Sequence, residues 1–180
     1  MQAFKVFPEI GSYGLAAVFE NEPGKTVLRA DIDRLPVEEK TGLPYASKAR
    51  MFDTDGIEKP VMHACGHDMH ITSLLAAAET LVRAKEEWKG TLLLVFQPAE
   101  EKGAGARAMA NDGLYKKVPV PDVAIGAHVM PYRTGMFQSQ LIYERSFPDV
   151  CYMILTVPRN DSYSPWPYGL CSRLLSVGLV

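Results

Sequence analysis

Residues 91–96 read TLLLVF, an unbroken apolar and β-branched run with no polar face. A strand with one wet side alternates, so a continuous run of this length belongs in a strand covered on both faces. Its surroundings narrow the fold further. Over residues 68–88, Ile71, Leu74, Leu75, Ala78, Leu81 and Val82 recur at helical spacing, and Gly90 follows as a stop signal. A second short helix is expected over about 103–112, ending near Gly113, and DVAIGAH (122–128) is another buried strand. Upstream, LAAVFE (15–20) and TVLRADI (26–32) flank the turn signal NEPGK and read as a hairpin. Strands alternating with helices predict a three-layer α/β domain with a largely parallel central sheet.

A chain of 180 residues suits one domain with a sizeable core. Its 47% apolar and 22% charged residues fit a globular protein rather than a disordered one. The net charge of −2, with both signs interspersed, gives no support to a nucleic-acid or membrane partner. The chain has no 18-residue apolar run, and its start, MQAFKVFPEIGSYG, lacks a signal-peptide core. Three cysteines, Cys65, Cys151 and Cys171, make an odd, irregular set. No disulfide framework is expected, and a cytoplasmic setting fits. After Tyr152, MILTV reads as one more strand, and residues 158–180 read as a frayed tail dense in turn formers.

The chemistry concentrates at the ends of these elements. HACGHDMH (63–70) holds three of the four histidines, His63, His67 and His70, with Cys65 and Asp68 among them. In an extended segment Cys65 and His67 point the same way and can converge on one ion, while Asp68 opens and can cap the helix. FQPAEEKGAGA (96–106) follows the buried strand with adjacent acids, Glu100 and Glu101. Side chains of adjacent residues diverge, so one could bind a metal while the other faces a substrate water. His128 ends the next strand, and Asp31 and Asp33 share a face of RADIDRLP (29–36). Open α/β sheets bring such strand-end loops to one edge. Thiolate, imidazole and carboxylate donors suit zinc, manganese, cobalt or nickel rather than calcium or magnesium. A free glutamate beside them is what metal-assisted hydrolysis requires.

LRADIDRLPVEEKTGLPYAS, MHACGHDMHITSLLAAA, LLLVFQPAEEKGAGARAM and AIGAHVMP resemble the aminoacylase-like amidohydrolases. That metallopeptidase-related family includes hippurate hydrolases, auxin-conjugate hydrolases and N-acetyl-diaminopimelate deacetylases. The resemblance implies a zinc-exopeptidase-like α/β/α catalytic domain that cleaves N-acyl amino acids at a centre of two divalent ions. It implies Cys65, His67, Glu101 and His128 as metal ligands and Glu100 as general base. Asp31 and Asp33 become site-shaping residues, while His63 and His70 receive no ligand role. Family members run to about twice this length, with a smaller dimerisation domain and a late histidine ligand. The resemblance covers about residues 4–157, read as the N-terminal part of the catalytic domain, and 158–180 does not match. The chain as it stands is therefore expected to be an incomplete, inactive form, with a homodimer belonging only to the intact one. Two alternatives are a non-catalytic remnant that binds metal or pairs with an intact paralogue, and a metallo-dipeptidase or carboxypeptidase.

Overall fold

The computed structural model describes residues 4–22, 24–130, 139–143 and 151–158. In chain order it contains β1 (Lys5–Ile10), β2 (Gly14–Asn21), β3 (Lys25–Asp31), β4 (Arg50–Phe52), β5 (Glu58–Pro60) and helix α1 (His67–Arg83). There follow β6 (Gly90–Gln97), α2 (Gly105–Asn111), α3 (Leu114–Lys117), β7 (Val123–Met130), β8 (Ser139–Tyr143) and β9 (Cys151–Pro158). Seven strands form one sheet in the order β1-β2-β6-β3-β7-β9-β8, and β4 and β5 make a separate ribbon.

The apolar run 91–96 explains itself in this arrangement. Leu93 and Val95 point to one face, where Ile10, Ala16, Val18, Val27 and Ala124 join Met109 of α2 and Leu114 of α3. Leu92 and Leu94 point to the other, with Ala17, Phe19 and Ala30 against Leu74 and Ala78 of α1. Successive side chains alternate across a strand, so β6 needs apolar residues at every position to feed two cores. Each fully buried leucine contributes about 1.5–3 kcal/mol relative to an exposed one. Helices cover both faces of the sheet, giving the three layers expected.

The hairpin expectation is overturned. β6 lies between β2 and β3, antiparallel to β2 from Leu15↔Phe96 to Asn21↔Gly90 and parallel to β3 from Lys25↔Thr91 to Asp31↔Gln97. β2 ends at Asn21 and β3 begins at Lys25, one on each side of β6. Two strand spacings are roughly 10 Å, within reach of a few extended residues. β2 instead makes its local antiparallel pair with β1, a strand the apolar pattern did not reveal. The parallel part of the sheet is its middle, β6-β3-β7-β9, flanked by antiparallel strands at both sides.

Helix α1 ends at Arg83, before a 3-10 turn over Lys85–Glu87, so the expected span to residue 88 covers two elements. The short helix expected over about 103–112 is α2, and the separate helix α3 starts after Gly113. The MILTV segment falls in β9, in parallel register with β7 from Ala124↔Tyr152 to Met130↔Pro158. Beyond Pro158, the segment expected to be a tail lies outside the described residues. Because β3, β6 and β7 run parallel, their carboxyl ends share one edge, and α1 begins there.

Candidate metal centre

His67 is the first residue of α1 and only 1% exposed. Gly66 immediately before it adopts φ 79° and lies so close to β7 that a Cβ there would sit 2.5 Å from Val129 Cγ2. Both the left-handed backbone and the close approach require glycine. Cys65 therefore sits in a turn, and its convergence with His67 arises from that turn rather than from an extended segment. Asp68 lies in the first turn, favourable to the helix dipole, but makes no capping hydrogen bond.

The His67 ring is oriented from behind. Its Nδ1 lies 2.9 Å from the Asp33 carbonyl oxygen and 3.3 Å from Asp33 Oδ1, so Nδ1 carries the proton and donates it. Nε2 is left bare, 3.7 Å from Glu100 Oε2 and 3.9 Å from Glu101 Oε1. Burial opposes protonation of His67, yet the hydrogen bond to Asp33 and the nearby charges of Asp31, Asp33 and Glu100 hold its pKa above the ordinary value. Burial also works against ionisation of Asp33. The hydrogen bonds from His67 and the Glu101 N–H outweigh it and lower the Asp33 pKa.

Glu100 and Glu101 sit in the loop after β6. Ala99 turns that loop at φ 50°, a left-handed conformation costing a non-glycine residue about 1–2 kcal/mol. Ala99 O accepts N–H bonds from Ala104 and Gly105, and Glu100 O accepts one from Gly103 at 2.7 Å. Gly105 is necessary here, because a Cβ would collide with the Pro98 carbonyl. The Glu101 N–H donates to Asp33 Oδ2 at 3.1 Å. The two acids were expected to diverge, but this tight turn brings both carboxylates to the same imidazole. Burial, reinforced by the Asp31 charge, pushes the Glu100 pKa up to about 7.

The third contribution comes from β7. His128 Nδ1 donates to the Val129 carbonyl at 2.6 Å, leaving Nε2 to face Cys65 Sγ at 3.5 Å. His70, one turn into α1, accepts the Val129 N–H at its Nε2, 3.0 Å away. Its pKa is driven down to about 3 by burial and then by the neighbouring His128 and His67 rings, so it is neutral at ordinary pH. Burial lowers the pKa of His128, aided by the His67 and Arg29 charges and opposed by the hydrogen bond to Val129. His63 has a buried Nδ1 without a hydrogen-bond partner and belongs to none of the converging groups.

Two residues that the sequence reading passed over complete the arrangement. Arg29 donates its Nε–H to Gln97 Oε1 at 2.8 Å, and its two terminal nitrogens contact the two Asp31 oxygens. Burial still raises the pKa of Asp31 despite this partner. The signal was an arginine in the interior of β3, two residues before Asp31 and so on its face of the strand, since a charge in such a position needs a partner.

The donor atoms fit a metal centre. Three sets each bring their donors within 4.8 Å of one another, namely Cys65–His67–His128, Asp31–His67–His70 and His67–Glu100–Glu101. His67 Nε2, Glu100 Oε2 and Glu101 Oε1 are buried without hydrogen-bond partners. Buried polar atoms are almost always satisfied, so orphans that converge call for a cation. One thiolate, imidazoles and carboxylates form a set suited to borderline divalent ions.

Comparison with known proteins gives a consistent family. Peptidase family M20/M25/M40 matches residues 27–140. The hippurate hydrolase of Campylobacter jejuni is 47% identical over 131 residues, covering 72% of this chain and 31% of the relative. Thermostable carboxypeptidase 1 of Saccharolobus solfataricus is 44% identical over 124 residues, covering 67% and 28%. Among solved structures, a dinuclear metal-binding peptidase of family M20 from Bacillus subtilis superposes with a TM-score of 0.59 at 32% identity. That superposition covers 77% of this chain and 38% of the peptidase. The chain thus spans about a third of the length of these relatives.

Proposed function

The chain belongs to peptidase family M20/M25/M40, and on that footing we propose that its sheet edge is the catalytic half-site of a metal-dependent amidohydrolase acting on N-acyl amino acids. The reading rests above all on the convergence of three buried, unpartnered donors: His67 Nε2, Glu100 Oε2 and Glu101 Oε1. In this reading Cys65, His67, Glu101 and His128 hold one or two divalent ions, manganese or zinc first, with cobalt and nickel as substitutes. Bound there, the ions would lower the pKa of water and polarise the amide carbonyl.

The remaining chemistry belongs to the chain. Asp33 keeps the His67 proton on Nδ1, so Nε2 stays available. Glu100, whose carboxylate lies beside the His67 Nε2, is placed to take a proton from water and return it to the leaving amine. Glu101 is held by its own backbone hydrogen bond to Asp33, which separates its task from that of Glu100.

The substrate class is supported by the hippurate hydrolase relative, since hippurate is an N-acyl amino acid. The carboxypeptidase relative supports a second reading, cleavage of a peptide's terminal amide by the same residues. The test is to exchange residues 27–140 into a full-length relative and assay N-acetyl amino acids, N-benzoyl amino acids and blocked peptides. Glu100→Gln should abolish hydrolysis while metal content is retained, and Glu101→Gln should lose both. Metal lost only in the Glu100 variant would reverse the two roles. Turnover of peptides but not N-acyl amino acids would select the second reading.

A further inference from the structure

The β3–β7 register ends at Arg29↔Gly126, while β7 continues to Met130. Over this overhang the strand carrying His128 has lost its β3 neighbour, and backbone N–H groups there need other acceptors. One is found on α1, where His70 Nε2 accepts the Val129 N–H at 3.0 Å. The His70 ring is 4% exposed, and its centroid lies 4.4 Å from that of His128 and 5.2 Å from that of His67. Gly66, one turn earlier, lets Val129 pack directly on the start of the same helix. The overhang is thus attached to α1 at two points, one steric and one polar.

The geometry points to His70 as a positioning residue for the metal centre: by accepting the Val129 N–H it holds the end of β7 so that His128 Nε2 meets Cys65 and His67. This rests on the proposed role of His128 as a ligand. The consequence is specific. The only useful form of His70 is the neutral tautomer with the proton on Nδ1, because Nε2 must offer its lone pair to a backbone donor. A glutamine at this position can place an oxygen near the Nε2 position and keep the bond, whereas leucine cannot.

The experiment uses the 180-residue chain, metal-depleted and titrated with manganese(II) or zinc(II) by calorimetry. Removing an outer partner of a ligand costs about 10–100-fold in metal affinity. That loss is expected for His70→Leu, with His70→Gln within a few-fold of the unsubstituted chain. Introduced into His128→Ala, His70→Leu should cost nothing further, because its effect passes through His128. Nitrogen-15 NMR of the metal-free chain should show His70 protonated on Nδ1. The proposal is overturned by a proton on Nε2, by unchanged affinity in His70→Leu, or by an equal His70→Leu cost with and without His128. Should His70→Leu fail to fold, the tautomer and the His70→Gln affinity decide the matter. If His128→Ala itself keeps full affinity, the ligand reading falls, and the proposal falls with it.

Discussion

The two apolar layers of this sheet and its carboxyl-terminal edge obey opposite rules. Within the layers, β6 supplies Leu93 and Val95 to one side and Leu92 and Leu94 to the other, and their neighbours are apolar. At the edge, burial is just as deep around His67 and His70, but the atoms are polar. Among the described residues, the buried side-chain atoms without hydrogen-bond partners belong to Asp33, His63, His67, His70, Glu100 and Glu101. None lies in the layers. Unsatisfied polarity costs about 1–3 kcal/mol per group, and here it is confined to one edge. That contrast separates the part of the chain that stabilises the fold from the part arranged for a ligand.

The contrast can be tested from either side. The largest effect is expected in the layers: Leu93→Ala, at a position 2% exposed, should lower stability by about 2–5 kcal/mol. Chemical denaturation measures the loss, and the protein that remains folded should bind metal as before. A Leu93 variant that loses metal affinity while staying folded would break the separation.

Next is the edge. Cys65→Ala should weaken metal binding by more than about 100-fold, beyond the range seen for outer partners, whereas Cys151→Ala and Cys171→Ala should not. Metal content per chain decides this, and equal losses across the three cysteines would remove Cys65 from the site.

The third effect is pH-dependent and smaller. In the metal-free protein, Glu100 keeps its proton up to about pH 7, while an unfolded glutamate releases it near 4.5. Between those values the folded state binds more protons than the unfolded state, so this group's contribution to stability falls as pH rises. The total is at most roughly 3 kcal/mol. Glu100→Gln should therefore gain stability relative to the unsubstituted chain across pH 4.5–7 and level off above. Paired melting curves in chelator give the answer, and a pH-independent difference would mean that Glu100 titrates normally. At the low end, breaking the exposed Lys40–Glu38 ion pair should change stability by less than about 1 kcal/mol.

What could be read in advance followed from local pattern. α1 was legible because its apolar residues repeat at helical spacing, and β6 because a run without alternation has one structural meaning. The grouping of Cys65, His67, Glu100, Glu101 and His128 was legible because all lie at or near the ends of such elements. Pairing was not, since a strand's partner is a long-range property. β2 and β3 are separated by a turn signal yet not bonded to each other. The sharing of His67 by two adjacent acids was hidden as well, because it depends on Ala99 taking a left-handed conformation that alanine ordinarily avoids. Hydrogen bonds such as that from Val129 N–H to His70 leave no mark in sequence, since the donor is backbone.

The place of β6 between β2 and β3 also bears on how this polypeptide reaches its fold. During synthesis β2 and β3 emerge well before β6, with Lys25 waiting for a partner at Thr91. Until then both strands present open edges separated by a Pro-Gly turn, and their nearest available partners are each other. The hairpin suggested by the local sequence is thus a trap for the nascent chain, one that must open before β6 can insert. Such non-local pairing slows folding and prolongs the exposure of strand edges. Refolding should accordingly be slow and concentration-sensitive.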